Sequence, residues 1–448
     1  MHMSAEEFDA GLELRALHEG RAVSCSSHRR FGLHGSATLI ALRTMAGVEG
    51  SLWGVAVGRV GDARPAVVVA SDPAVGLEQA ECFRAIGAET SCDPHPCLVL
   101  ATSDAADVLG AAALRARRAG DPVVARGVEI ALFATERSEV AGNDSLVVAT
   151  TALAEHFVWP GRETEPGNLA RALGFIAGST VELGAGHDGS TTTPLELDLA
   201  RLSSVVTRSR RERDRSGEVS IDTAKRRRVE VASVLAPLLR ADFALLVRAT
   251  AALRLADLEL LPSTSRRCEA EARAWARAAD RLERGVRRGA RPGAVGAALH
   301  LGECERAAAR LDAELRSVDR VARARAIACG SLLSGEVASI ERDVIELVST
   351  QPALRVRTGE RVVLHGLGVS GEVVELERRG QSRSIRIRLA GPLPVEVGVG
   401  SHIETGAEVI DVPARAKATA WTHARPVAGD RAAGGLTTAG SATDGAPG

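Results

Sequence analysis

The runs Ser51-Leu-Trp-Gly-Val-Ala-Val-Gly-Arg-Val60 and Pro65-Ala-Val-Val-Val-Ala-Ser71, joined by Gly61-Asp-Ala-Arg64, decide the fold class of the first third of this chain. Two apolar stretches rich in β-branched residues around a short Gly/Asp turn predict a β-hairpin. Working outward, Gly76 to Ile86 reads as a helix, Cys97–Thr102 as a short strand and Ala105–Ala119 as a second helix. Strands are expected near Glu129–Ala134 and Leu146–Ala149, then a helix over Thr151–Phe157. This alternation predicts a mixed-sheet α/β domain over residues 1–158. Trp159-Pro-Gly-Arg-Glu-Thr-Glu-Pro-Gly167 is dense in breakers and acids and opens a linker, 159–193.

From 194 to 349 the pattern is helical and rich in arginine. Thr193-Pro194 is a helix start, and a long helix is expected from Ile221 to Leu260 with a kink at Pro237. Cys268, Ala272, Trp275, Ala279, Leu282 and Val286 repeat at 4-3 spacing. Beyond Gly289-Ala-Arg-Pro-Gly293, so do Leu301, Cys304, Ala308, Leu311, Leu315, Val318 and Ala322. The two stripes predict an antiparallel, coiled-coil-like hairpin within a helical bundle, a surface for a protein partner or for self-association. Gly330 would end its second arm, and Val337, Ile340, Val344 and Leu347 predict one more amphipathic helix. Over 353–412 the period falls to two, which predicts a small β-barrel. Residues 413–448 are rich in Ala, Gly and Thr and are expected to form a disordered tail.

Composition excludes more chemistry than it suggests. Lys225 and Lys417 are the only lysines beside 54 arginines, and there is no tyrosine. Neither lysine lies in a Gly-Lys-Ser/Thr loop, so P-loop, protein-kinase and pyridoxal-phosphate chemistry lose their lysine, and tyrosine nucleophiles are absent. His-Glu-x-x-His and Gly-x-Ser-x-Gly do not occur. An odd, scattered set of seven cysteines and an acidic first segment predict a cytoplasmic protein, and no apolar run is long enough to span a membrane. Residues 1–200 carry 15 Arg against 26 Asp and Glu, while residues 201–330 carry 28 Lys and Arg against 17 acids. That split predicts either two regions that dock on each other or a surface for a polyanion.

Four groups of residues are candidates for binding. Cys25-Ser-Ser-His28 and Cys92-Asp-Pro-His95 repeat Cys-x-x-His, and Cys25, His28, Cys92 and His95 together would satisfy tetrahedral zinc, with hydrolysis as one use of it. Gly184-Ala-Gly-His-Asp-Gly189 has Gly-x-Gly-x-x-Gly spacing, a nucleotide loop or a linker. Arg208, Arg210, Arg211 and Arg213, followed by Lys225, Arg226, Arg227 and Arg228, could neutralise nucleic-acid phosphates, though interleaved acids and missing aromatics favour a solvated face. Taken together, these features favour an interaction or scaffold protein over an enzyme.

In the C-terminal segment, Arg357-Thr-Gly-Glu-Arg361 has the form Arg-x-x-x-Arg, and Glu375-Leu-Glu-Arg-Arg-Gly380 lies where PilZ domains carry Asp-x-Ser-x-x-Gly. The segment resembles a PilZ-type module. That resemblance implies a cyclic dinucleotide bound through Arg357, Arg361 and Gly380, with glutamates replacing the motif's Asp and Ser. The alternative is an SH3-like barrel that serves as a protein-interaction module.

Overall fold

A computed structural model describes residues 5–34, 36–44, 52–62, 64–70, 76–91, 93–117, 120–160, 169–177, 204, 221–256, 258–286, 294–351 and 353–407. Its centre is a mixed five-stranded sheet of β3 (Thr38–Thr44), β4 (Leu52–Arg59), β5 (Ala66–Val69), β6 (Leu98–Leu100) and β7 (Leu146–Val148), in the order β5-β4-β3-β6-β7. The hairpin read from residues 51–71 is β4–β5, paired Gly54 to Val69 through Val57 to Ala66. β3, β6 and β7 run parallel, so the loops that lead into them meet at one end of the sheet.

β4 is buried along nearly its whole length because helices cover both faces. On one face lie α2 (Gly76–Glu89), α3 (Ser103–Ala116) and α4 (Pro122–Arg137), which pack Phe83, Leu109, Ile130 and Phe133 around Ile40, Val55 and Val57. On the other lie α5 (Ala149–Ala154), α6 (Leu169–Ile176) and α7 (Ile221–Leu255). Gly54 and Gly58 of β4 admit α7: a Cβ on them would stand 2.9 Å from Leu239 Cδ1 and 3.0 Å from Phe243 Cζ. Arg43, near the end of the central strand β3, then clamps α7 to the sheet through Asp242 at 2.6 and 2.8 Å. The helical region therefore does not stand apart from the first domain, because its longest helix completes the α/β core.

Four expectations change. The apolar run Glu129–Ala134 is the middle of α4, not a strand, because Asp121 caps Val123 and Val124 and Pro122 starts the helix. α8 (Pro262–Glu283) does not seal its stripe against α9 (Ala294–Val318). Trp275 packs edge-on against Phe133 of α4 at 5.3 Å, while Val286 and Leu301 are exposed. The second arm also breaks at Asp319, whose side chain caps α10 (Arg320–Ala328) and accepts hydrogen bonds from Ser26 Oγ and Ser27 N.

Finally, residues 337–347 form a hairpin, β10 (Leu332–Glu341) and β11 (Val344–Ser349), turning through Arg342 at φ 54°. Only Val337 and Leu347 of the four apolar positions point inward, and a bulge between Val337 and Ser339 shifts the two-residue alternation into an apparent helical spacing. With β12 (Arg361–Leu364), β13 (Val369–Arg379), β14 (Ser382–Leu389) and β15 (His402–Ala407) these strands close an antiparallel barrel, order β10-β11-β14-β13-β12-β15. Its core of Leu333, Val337, Ile345, Leu347, Val362, Val373, Ile385 and Ile387 is its own.

Short pieces complete the chain. α1 (Ala5–Glu19) leads into β1 (Val23–Ser24), which pairs with β8 (Phe157–Val158), and β2 (His28–Arg29) pairs with β9 (Glu259–Leu260). Among the described residues no helix is long and apolar enough to cross a membrane.

Candidate functional site

Among the described residues of the Cys-x-x-His set, Cys25, His28 and His95 do not form a common ligand group. Cys25 Sγ donates to the Glu155 carbonyl at 3.6 Å, and burial pushes its thiol up to about 11. His28 lies beside Asp319 at 3.4 Å and Glu259 at 3.6 Å. His95 instead turns to Asp144, and Cys92 lies outside the described residues. The pairs separate because residues 25–28 follow α1 to the α5–α10 side, whereas His95 precedes β6 at the end of the sheet.

What meets there is a different group. His34, His95 and Asp144 come from the loops before β3, β6 and β7, three adjacent parallel strands, and Cys268 of α8 closes over them. Asp144 is fully buried, with Oδ2 2.5 Å from His34 Nε2 and Oδ1 2.8 Å from His95 Nε2. The second approach misses hydrogen-bond geometry, so Asp144 Oδ1 and both His95 ring nitrogens are buried without a hydrogen-bond partner. Burial would raise the Asp144 carboxyl, but the hydrogen bond from His34 and the proximity of His95 outweigh it and hold it well below the usual carboxylate range. The same His34 bond raises that imidazole. Burial first and the Asp144 charge second push the Cys268 thiol up, and those causes lift Cys97 to about 12.

A second feature is an open groove on the far side of β7, the strand at which the sheet ends. One cavity of about 500 Å³ runs between β7, the start of α3, α5 and α9, and another of about 430 Å³ continues it between α1, α5 and α10. Arg30, Thr151 and Glu155 line both. The walls carry Asp107, Glu139, Asp312 and Glu155 in the first cavity and Asp9, Glu13 and Asp319 in the second, against Arg30 and Arg325. The acidic surplus of the first 200 residues is thus partly concentrated along this edge.

The remaining candidates are dispersed. Arg357 and Arg361 are exposed beside β12, and Arg361 pairs with Glu372 of β13. Gly380 sits at the far tip of β13, eight residues past Glu372, which at strand rise is about 26 Å away. An extended β13 therefore keeps Gly380 from joining the two arginines at one phosphate site. Arg208, Arg210, Arg211, Arg213 and the Gly184–Gly189 loop lie outside the described residues. Lys225 and Arg227 fall in the first turns of α7, and Arg226 and Arg228 there are exposed.

Other arginines of the helical region tie elements together: Arg267 joins Arg137 of α4 in sharing Glu271 and Glu303, Arg325 meets Asp9, and Arg323 meets Glu404. His34, Asp144 and Cys268 carried no spacing signal for a common site, since two loops and a helix supply one residue each. No family model, no curated protein and no solved structure matches this chain.

Proposed function

We propose that this chain is an interaction protein whose acidic groove beside β7 receives an extended, basic polypeptide segment. The observation that carries this reading is the coincidence, among the described residues, of a sheet end without a further strand and walls rich in carboxylates. The three-residue edge of β7 contributes few backbone hydrogen bonds, since its Leu146 N–H already donates to Asn143 Oδ1 at 3.1 Å, so the flanking acids do most of the selecting, for Arg- or Lys-rich sequence. Burial raises the Glu155 carboxyl, a penalty that a bound cation would relieve.

The test is fluorescence anisotropy with a labelled arginine-rich peptide at low and moderate salt. Asp107→Asn combined with Asp312→Asn should weaken binding roughly tenfold, two exposed charge pairs at up to about 1 kcal/mol each. Equal binding by wild type and variant, or equal binding of an acidic peptide of the same length, would defeat the reading.

The helical hairpin is a second surface for self-association, supported by the exposed Val295, Leu299 and Leu301 on the first half of α9. Polyanion binding has support from Arg226 and Arg228, and a cyclic-dinucleotide role for the barrel has support from Arg357 and Arg361 without Gly380.

A further inference from the structure

We infer that the loops leading into β3, β6 and β7 form a site for one divalent transition metal of the zinc class, bound by His34 Nε2, an Asp144 carboxylate oxygen, Cys268 Sγ and His95 Nε2. This inference is independent of the groove. It rests on geometry first. The ligand atoms of His34, Asp144 and Cys268 all lie within 4.8 Å of one another, and His95 Nε2 is 2.8 Å from Asp144 Oδ1. Tetrahedral zinc bonds of about 2.0–2.3 Å place ligand atoms roughly 3.3–3.8 Å apart, so the first three need only small adjustments, whereas His95, outside that group of three, would turn its ring to complete the shell.

Two further observations point to a missing cation rather than to a finished ion pair. Asp144 Oδ1 and both His95 nitrogens are buried without a hydrogen-bond partner, whereas buried polar atoms are normally satisfied. Gly32 leaves the approach open, since a Cβ there would stand 2.5 Å from both Asp144 Cβ and Cys268 Sγ. The glycine thus permits the carboxylate and the thiol to face one centre.

The donor set selects the metal. One sulfur, two imidazole nitrogens and one carboxylate oxygen suit zinc or cobalt, and a thiolate disfavours magnesium and calcium. Binding replaces the Cys268 S–H bond with an S–metal bond and releases that proton to solvent, and the His34 Nε2 proton now shared with Asp144 is lost to solvent from the imidazolium or moves to Nδ1 in the neutral ring. The four ligands come from separate loops and from α8, so the metal would clamp α8 onto the sheet. Glu139, His300 and Cys304 form a second cluster, but Glu139 is 78% exposed and lies 3.9 Å from His300, so it serves as the control.

The experiment uses the full chain, stripped with a chelator and titrated with cobalt(II). One equivalent should bind with a thiolate-to-cobalt charge-transfer band and tetrahedral d–d absorption, and zinc should displace it. Cys268→Ser should abolish the charge-transfer band, His95→Ala should weaken binding by roughly tenfold or more, and Cys304→Ser should leave the band intact. Should Cys268→Ser fail to fold, alkylation of the wild-type chain decides the matter: zinc should slow modification of Cys268, read by peptide mass, far more than that of Cys304. A folded wild type without the thiolate band, a band that survives Cys268→Ser or disappears in Cys304→Ser, or a Cys268 that zinc does not protect would overturn the site.

Discussion

Single side chains of this protein differ most in what burial demands of them. His156 is fully buried beside Phe31, with neither ring nitrogen hydrogen-bonded, and burial together with the charges of Arg30 and Arg29 lowers its pKa to about 4. Its neutral form is therefore the folded form. The unfolded ring binds a proton first as pH falls, so this residue's support is intact at pH 7 and declines below about 6.5. Between pH 7 and pH 5 the loss should be about 2 kcal/mol. Urea midpoints at the two pH values should show it in wild type, and His156→Leu should remove that share of the slope.

Glu271 is the opposite case, a fully buried carboxylate held by Arg137 at 2.8 Å and Arg267 at 3.5 Å. Glu271→Ala leaves Arg137 and Arg267 with Glu303 as their one shared carboxylate and should cost roughly 2–3 kcal/mol, less than a fully uncompensated buried charge. Glu303→Ala, on the half-exposed side of the network, should cost about 1 kcal/mol, and denaturant titration of both variants separates them. Neither role was legible in the sequence, where nothing sets Glu271 or Glu303 apart from the other acids of the helical region.

Elements were read well where the pattern came from their own residues. The β4–β5 hairpin, the long helix with Pro237 inside it and the two-residue period of β12–β14 needed no knowledge of neighbours. Reading failed where two patterns coincide, as in the bulged β10–β11 hairpin, or where burial on all sides removes the period, as in α4.

Helix contact also gives small residues a meaning that the sequence conceals. Gly87 of α2 and Gly127 of α4 face each other so closely that a methyl on Gly87 would overlap the Val123 carbonyl and one on Gly127 the Phe83 carbonyl. Gly127→Ala should therefore destabilise by about 1–3 kcal/mol despite alanine's better helix propensity. Gly11→Ala in α1, with open space around it, should instead stabilise by about 0.5–1 kcal/mol, and thermal melts of the pair test the sign.

At the scale of the whole molecule, the charge asymmetry is not what joins the acidic first part to the basic middle: Arg325–Asp9 follows it at the surface, but Arg43–Asp242 and Arg137–Glu271 each take the arginine from the acidic part and the acid from the basic one. α7 contributes Val231, Leu235, Leu239, Phe243 and Leu246 to the same core as Leu39, Trp53 and Val99. A fragment of residues 1–160 should therefore be insoluble or lack cooperative unfolding, and co-expression with residues 221–330 should restore a soluble complex. A soluble, cooperatively melting 1–160 fragment would show that the sheet does not need α7. By itself the sequence determined the local elements and the exclusions, because periodicity, turn residues and missing lysine or tyrosine are properties of neighbours along the chain. It determined one residue of the metal-type cluster, His95, and gave it other companions. Only the tertiary structure placed His34, Asp144 and Cys268 around it, put α7 over the sheet and opened the groove beside β7. Each of these depends on loops and helices far apart in sequence meeting at one end of parallel strands, and no spacing along the chain encodes that meeting.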